Sequence, residues 1–401
     1  HRDTRLRRYA ETLADAGALV DVLCPKSPED ATSAKRPGIR VFPIPLKRGY
    51  SDRRRYLFEY GLAFLLYSLW LLPLYLRSGY QIIQVHNMPD LLVYAALIPK
   101  LLGAKLILDI RDPMPELYMS RYQEGETSTM QRILRLQERL SCKLAARVIT
   151  ANANFQENLV ARGIPEAKIT MLSNAPDGKI FDHSKYACEA GDENDTFTLF
   201  YAGTIAPRYG LDVAIRAMPL LVKEIPNVRL VIFGGKVAHA HQLMALADEL
   251  DVATQVEFGG AIPLEQVPQE MVRADVGIYT AVRTPHTDIA TPCKVLEYAV
   301  MGLPIVAPRL RILEQIFGAS AISFFEPGDA KDFARCILEL YRNPGRRARL
   351  VQEADEAYVY TQSWETEQRT YFRLLNELLP EREQIDLESD EIERGLPHGL
   401  Q

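Results

Sequence analysis

Residues 283–307 read RTPHTDIATPCKVLEYAVMGLPIVA, and a short apolar run, VGIY at 276–279, precedes them. An apolar run, a polar loop, a helical pattern and a second apolar run at 304–307 make a strand–helix–strand unit of the kind that builds parallel sheets. The helix is predicted over 292–301. Thr291 is a favoured N-cap and Pro292 a favoured first helical residue. Such a helix start points free backbone N–H groups at the end of the strand, which is a ready anion site. Lys294 adds a cation in the first turn, where the helix dipole disfavours one. A bound anion would account for that placement. Glu297 follows on roughly the same face, where a carboxylate can accept both hydroxyls of a ribose. The plainer reading of Glu297 is a solvated helix residue.

Working outward, the same half contains two glycine turns at predicted strand ends. LFYAGTIAPRYG spans 199–210 and VIFGGK spans 231–236. Gly203 lets the backbone approach a phosphate, and the fork of donors on Arg208 suits a diphosphate. One glycine turn is weak evidence, because left-handed turns need glycine for local reasons. Three turns at strand C-termini in one sheet say more, since ligands of open α/β sheets bind there. Predicted strands at 196–201, 228–233, 256–259, 276–279 and 304–307 alternate with helices at 210–225, 239–250 and 292–301. In the first half, strands at 19–24, 39–44, 81–85, 105–109, 147–150 and 168–172 keep the same rhythm. The polar EAGDEND at 189–195 reads as a linker.

A chain of 401 residues, 47% hydrophobic and 25% charged, fits two globular domains. The domains are expected at 1–190 and 196–362, followed by a helix over 363–380 and a disordered acidic tail over 381–401. A net charge of −5 argues against nucleic acid as partner, which needs a clustered basic surface. Five dispersed cysteines suit a reducing compartment and form neither a disulfide framework nor a zinc motif. The opening helix places Leu6, Tyr9, Ala10 and Leu13 on one face. It comes before any strand, so the chain reads as lacking a signal peptide and as truncated before a first strand and loop.

YGLAFLLYSLWLLPLYL, residues 60–76, carries no charge and is interrupted by Pro73. It falls short of the ~20 residues a spanning helix needs. Two readings stand: a buried core helix, or a helix facing a membrane, with Lys47, Arg48 and Arg53, Arg54, Arg55 at anionic headgroups. The location expected is cytoplasmic, at the inner face of the cell membrane if 47–76 meets lipid.

Several stretches, in order, resemble the family 4 retaining glycosyltransferases of GT-B fold, over about residues 1–380. They are FYAGTIAPRYGLDVAIRAM, VEFGGAIPLEQVPQEMVRADVGIYT, TPCKVLEYAVMGLPIVA and FFEPGDAKDFARCILEL, with QVHNMPDLL, LILDIRDPMPELY, ARVITANANFQENL and LSNAPDGKIF in the first half. The resemblance implies an α/β protein of two facing Rossmann-like domains with parallel sheets and a cleft between them. It implies transfer of a sugar from a nucleotide diphospho-sugar to a glycan or lipid-linked acceptor.

By match, Glu297 contacts the ribose, Arg208 and Lys294 hold the diphosphate, and Gly234, Gly235 and Lys236 line the base and diphosphate pocket. Gly203, Thr204, Tyr279, Thr291 and Pro292 complete the donor side, and His86 and Asn87 stand on the acceptor side. The sequence departs from the family's pattern at several places. The first of its paired glutamates falls at Ile289, with Asp288 the nearest acid. Thr204 and Tyr209 occupy positions of basic residues. Arg111, followed by Asp112, stands where an active-site histidine is expected, and both are retained as catalytic candidates. Without an Asp-x-Asp signature, no metal is expected, and no cofactor beyond the co-substrate. A nucleotide-sugar 2-epimerase of similar fold and a non-catalytic nucleotide-sugar-binding protein remain as alternatives.

Overall fold

The computed structural model describes residues 4–26, 36–46, 53–122, 125, 127–186, 196–235, 237–359 and 364–385, without the side chains of 53–58, 365 and 383. The predicted linker at 189–195, the basic residues Lys47 and Arg48, and Lys236 lie outside them. The chain forms two compact units, one of residues 1–174 with 365–401 and the other of 175–364.

The first unit opens with α1 (Thr4–Asp15), then a parallel pair, β1 (Val20–Pro25) and β2 (Ile39–Ile44). After α2 (Arg53–Ser78) come β3 (Ile82–His86), a 3-10 helix over Asp90–Ala96, α3 (Leu97–Leu101) and β4 (Lys105–Ile110). The rest is α4 (Met114–Tyr122), α5 (Thr129–Leu144), β5 (Arg147–Thr150), α6 (Ala153–Ala161) and β6 (Ile169–Met171). Strands β3 to β6 form a parallel sheet in sequence order. The sequence suggests one sheet for this half, yet β1–β2 is a separate pair. Side chains tie it to the segment before β3: Asp21 accepts from Tyr80 and is clamped by Arg40 at 2.6 and 2.7 Å. β4 is the buried strand, with Leu106, Ile107, Leu108 and Ile110 inaccessible, whereas every residue of β1 and β3 is half-buried.

The buried face of α1 differs from the apolar stripe in its sequence. Tyr9 and Ala10 are buried as expected, but Arg5, Arg8 and Thr12 join them while Leu6 and Leu13 stay half-buried. The cause is an ion pair: buried Asp109 at the end of β4 draws Arg5 inward. α2 runs unbroken through Pro73.

The second unit alternates β7 (Phe197–Ala202), α7 (Leu211–Glu224), β8 (Val228–Phe233), α8 (Ala238–Glu249) and β9 (Val256–Gly260). It continues with α9 (Val267–Met271), β10 (Val276–Ile278), α10 (Cys293–Val300), β11 (Ile305–Pro308), α11 (Arg311–Phe317) and β12 (Ser323–Phe325). α12 (Ala330–Arg342) and α13 (Pro344–Ala354) close the unit. All six strands are parallel in the order β12-β11-β10-β7-β8-β9. The order reverses between β7 and β10, which is the point where doubly wound sheets open a crevice for ligands.

Both unit boundaries differ from the sequence reading, for reasons of packing. Ile180 and Phe181 are buried in the second unit's core beside Val295 and Leu310, so the division falls at 174/175, before the predicted linker. The last helix, α14 (Trp364–Asn376), is not a free appendage. It returns to the first unit, where Tyr371 stacks on Tyr9 at 4.6 Å and donates to Gln84 at 2.7 Å. The start of the tail is held in place, because Asn376 bonds both backbone groups of Ile385. Residues 386–401 lie outside the described residues.

Candidate functional site

The second unit's site is built at its switch point. β7 ends in Ala202, and Gly203 turns the chain with φ 148°, its N–H donating to Phe233 O at 2.9 Å. A Cβ on Gly234, the turn after β8, would lie 2.5 Å from Gly203 O, so the two glycine turns are stacked. Gly210 (φ 57°) starts α7, and a Cβ there would lie 2.2 Å from Thr280 O. The same approach is stitched by Thr280 Oγ1 donating to Tyr209 O at 2.8 Å and Val282 N to Arg208 O at 3.0 Å. The loops after β7 and β10 are thereby locked together.

α10 begins beside them. The sequence suggests Thr291 as its cap; the structure makes Pro292 the N-cap, in an extended conformation and with no side-chain cap bond of its own. Lys294, in the first turn, reaches back over Gly203, where a Cβ would meet its Cε at 3.0 Å and its Nζ at 3.3 Å. The ammonium lies 5.0, 4.3 and 5.3 Å from the ring centres of Tyr201, Tyr209 and Tyr279. Burial by itself disfavours the charge, while the ring faces of Tyr201, Tyr209 and Tyr279 favour it. Burial raises the Tyr279 and Tyr298 hydroxyl pKa values in turn, so the rings stay neutral. The result is a lysine ammonium in an aromatic cage in the first turn of a helix.

Arg208 is exposed and stacks on Tyr209 at 4.6 Å, so it shares one ring with Lys294. Thr204 and Gly235 are exposed, and Thr291 and Glu297 half-buried. Asp288, the nearest acid to the position of the family's first glutamate, is used elsewhere: it accepts from Arg311 N at 3.1 Å, at the start of α11, and pairs with Arg283 at 3.6 Å.

The first unit gathers His86, Asn87, Arg111 and Asp112 at the ends of β3 and β4. Asn87 Oδ1 accepts from Arg111 N at 3.0 Å, and its amide donates to Asp112 O at 2.6 Å and Asp90 Oδ1 at 3.0 Å. His86 Nδ1 lies 2.9 Å from Asp109 Oδ2. Asp109 is fully buried and is gripped by Arg5 at 3.1 and 3.2 Å. Burial alone would raise its pKa; Arg5, His86 and Arg111 reverse that and hold it well below the usual carboxylate range. An ionised carboxylate can only accept, so the imidazole donates to it from Nδ1, which fixes the ring with Nε2 as its other polar atom. Sequence reading missed Arg5 and Asp109, although the lone acid in the apolar run LILDI was a visible signal. It also missed Tyr201, which reads as an ordinary core residue of a strand. Among the described residues, no group of three or more His, Cys, Asp and Glu side chains could hold a metal ion.

A doubly wound second unit with its cation at the switch point, joined to another parallel α/β unit, defines the class: this is a GT-B protein. The solved structures agree. Sucrose-phosphate synthase from Thermosynechococcus elongatus superposes with a TM-score of 0.74 at 17% identity, covering 93% of this chain and 92% of that one. WaaG, a glycosyltransferase involved in lipopolysaccharide biosynthesis, gives 0.67 at 16% identity, over 91% and 93%. The chain also matches two family models in succession, the glycosyl transferase 4-like domain over 3–175 and glycosyl transferases group 1 over 187–357. It belongs to the family 4 glycosyltransferases.

Among curated relatives, it is 26% identical over 190 residues to a subunit of the phosphatidylinositol N-acetylglucosaminyltransferase of Arabidopsis thaliana, which is 47% of this chain and 40% of that protein. It is 35% identical over 107 residues to a GDP-mannose-dependent alpha-(1-6)-phosphatidylinositol monomannoside mannosyltransferase of Mycolicibacterium smegmatis, 26% of this chain and 28% of that protein. The matched stretches thus span less than half the length of either relative.

Proposed function

We propose that the protein is a retaining glycosyltransferase that moves a sugar from a nucleotide diphospho-sugar to a glycan or lipid-linked acceptor without a metal ion. The observation that carries this reading is the Lys294 ammonium, caged by Tyr201, Tyr209 and Tyr279, seated over Gly203 and in the first turn of α10. A departing diphosphate gains charge as the glycosidic bond breaks, so a fixed cation there stabilises the transition state more than the ground state. Arg208, which shares the Tyr209 ring with Lys294, supplies the second cation, and Glu297 the ribose contact. His86 Nε2, oriented by Asp109, accepts a hydrogen bond from the acceptor hydroxyl. The protein acts in the cytoplasm at the inner face of the membrane. Named relatives support the substrate class: one is GDP-mannose-dependent, and the HepE protein of Anabaena is solved with UDP-glucose.

A thermal-shift series with UDP, GDP, ADP and their sugars, with and without EDTA, tests the reading. A nucleotide at 100 times its dissociation constant stabilises by ~2.7 kcal/mol. Lys294→Met keeps a long apolar side chain among the rings and removes the charge. The wild type is expected to shift with one nucleotide class, EDTA to change nothing, and Lys294→Met to lose the shift while staying folded. An unchanged shift in Lys294→Met would remove the cation from the site, and an inverted anomeric product would end the retaining mechanism.

A further inference from the structure

The outer surface made by α2, α3 and α5 has no polar reason to face water. α2 is apolar on two faces. Its inner face packs Ala63, Phe64, Leu66, Tyr67 and Leu71 onto the first unit's cores, with Ile44, Leu92 and Val93. Its outer face exposes Leu62, Leu65, Leu69, Trp70 and Leu76, the last at 68%. The core-helix reading therefore accounts for only one side of it. A helix that is apolar all round is one with apolar surroundings on every side.

The patch continues onto its neighbours. Tyr75 Oη donates to Leu102 O at 3.0 Å, joining the end of α2 to that of α3, where Ile98, Leu101 and Leu102 are exposed. Lys100 Nζ donates to Leu144 O at 2.5 Å, joining α3 to the end of α5. α5 then shows Ile133, Leu136 and Leu140 at helical spacing, interleaved with exposed Arg132, Arg139 and Lys143. Charge is as one-sided as apolarity. Among the described side chains, the three helices hold six Lys and Arg against two Glu, in a chain of net charge −5. One of those two, Glu138, is buried against Arg162.

We propose that this three-helix surface docks on an anionic lipid bilayer, lying in the headgroup layer. Leucines with Trp70 enter the acyl boundary while Arg132, Arg139 and Lys143 meet phosphate headgroups. A single helix, Glu59–Ser78, is long and apolar enough to cross a membrane among the described residues. Its packed inner face holds it to the domain, so it lies along the bilayer instead of spanning it. A protein partner would not need the excess of cations, whereas a bilayer of negative surface potential does. The surface extends the lipid-linked acceptor reading above and rests on residues of the first unit alone.

The test is sedimentation of the full chain with vesicles of phosphatidylcholine alone or mixed with phosphatidylglycerol. Binding is expected only to the mixed vesicles, with release at high salt. Arg132→Glu/Arg139→Glu/Lys143→Glu should weaken it at least about tenfold. Leu69→Ser/Leu101→Ser/Leu136→Ser should also weaken it, with melting and nucleotide binding unchanged in both variants. Wild type that stays in the supernatant, or variants that bind equally well, would overturn the proposal. So would a concentration-dependent dimer that the serine variant dissolves without any vesicle binding. Vesicle binding without nucleotide binding would instead leave this surface standing and sink the catalytic reading.

Discussion

Arg208 and Lys294 touch the same ring but hold different surroundings. Lys294 is enclosed by aromatic rings, while Arg208 is exposed and free to follow the charge that grows on a leaving diphosphate. Arg208→Ala is expected to lower turnover about a hundredfold or more and to weaken binding of intact donor much less. Lysine at 208 should restore part of the rate, because it lacks the bidentate fork. Initial rates and donor titrations on the two variants check this. A second cluster governs pH dependence. Glu138, Glu116 and Asp90 share Arg162, three carboxylates around one cation. Burial pushes Glu138 up to about 7 and Asp90 up to about 6, and one oxygen of Asp90 and one of Glu116 are buried without a hydrogen-bond partner. A carboxyl whose folded pKa exceeds its unfolded value contributes fully below the unfolded value. It loses that contribution as pH rises through the folded one. Unfolding free energy should therefore fall between about pH 4 and 7, by at most ~1.4 kcal/mol per pH step for each carboxyl. Glu138→Gln, which cannot ionise, should flatten the fall in urea titrations across that range.

At the scale of elements, the site depends on how closely the loop before α7 approaches the one after β10. The sequence GTIAPRYG shows two glycines in a turn, but not which of them carries the contact. Gly210 does, because its φ is left-handed and Thr280 O fills the space of any side chain. Gly210→Ala should cost about 2–5 kcal/mol, the sum of a left-handed penalty and overpacking. Urea unfolding would show it as a lower midpoint at unchanged slope. A midpoint within error of wild type would mean that the two loops are not locked. α10 teaches a related lesson. Its position and its lysine were readable from TPCKVLEY, but the cage of Tyr201, Tyr209 and Tyr279 was not. Those residues come from β7, the turn before α7 and the position just after β10, which meet only because β7 and β10 are neighbours in the sheet.

For the molecule as a whole, α14 binds the first unit after the chain has passed through the second. It buries Tyr371, Phe372, Leu374 and Leu375. Each contributes about 1.5–3 kcal/mol. Ending the chain at residue 363 should therefore melt the first unit at a markedly lower temperature, with the nucleotide-induced shift of the second unit retained. Calorimetry and hydrogen exchange would separate the two, and full protection of β3 to β6 in the shortened chain would contradict it. The sequence alone determined the parallel α/β character, the two-part organisation and the glycine–lysine elements of the proposed donor site. Those features are local: strand and helix periodicity, turn glycines and helix starts are written within a few residues of where they act. Tertiary structure alone decided that Arg5 leaves the surface for Asp109, that Asp288 serves α11, and that 175–186 and α14 cross the expected boundaries. Each of these is settled by a partner more than twenty residues away, where burying one charge or aromatic ring against another outweighs the local pattern.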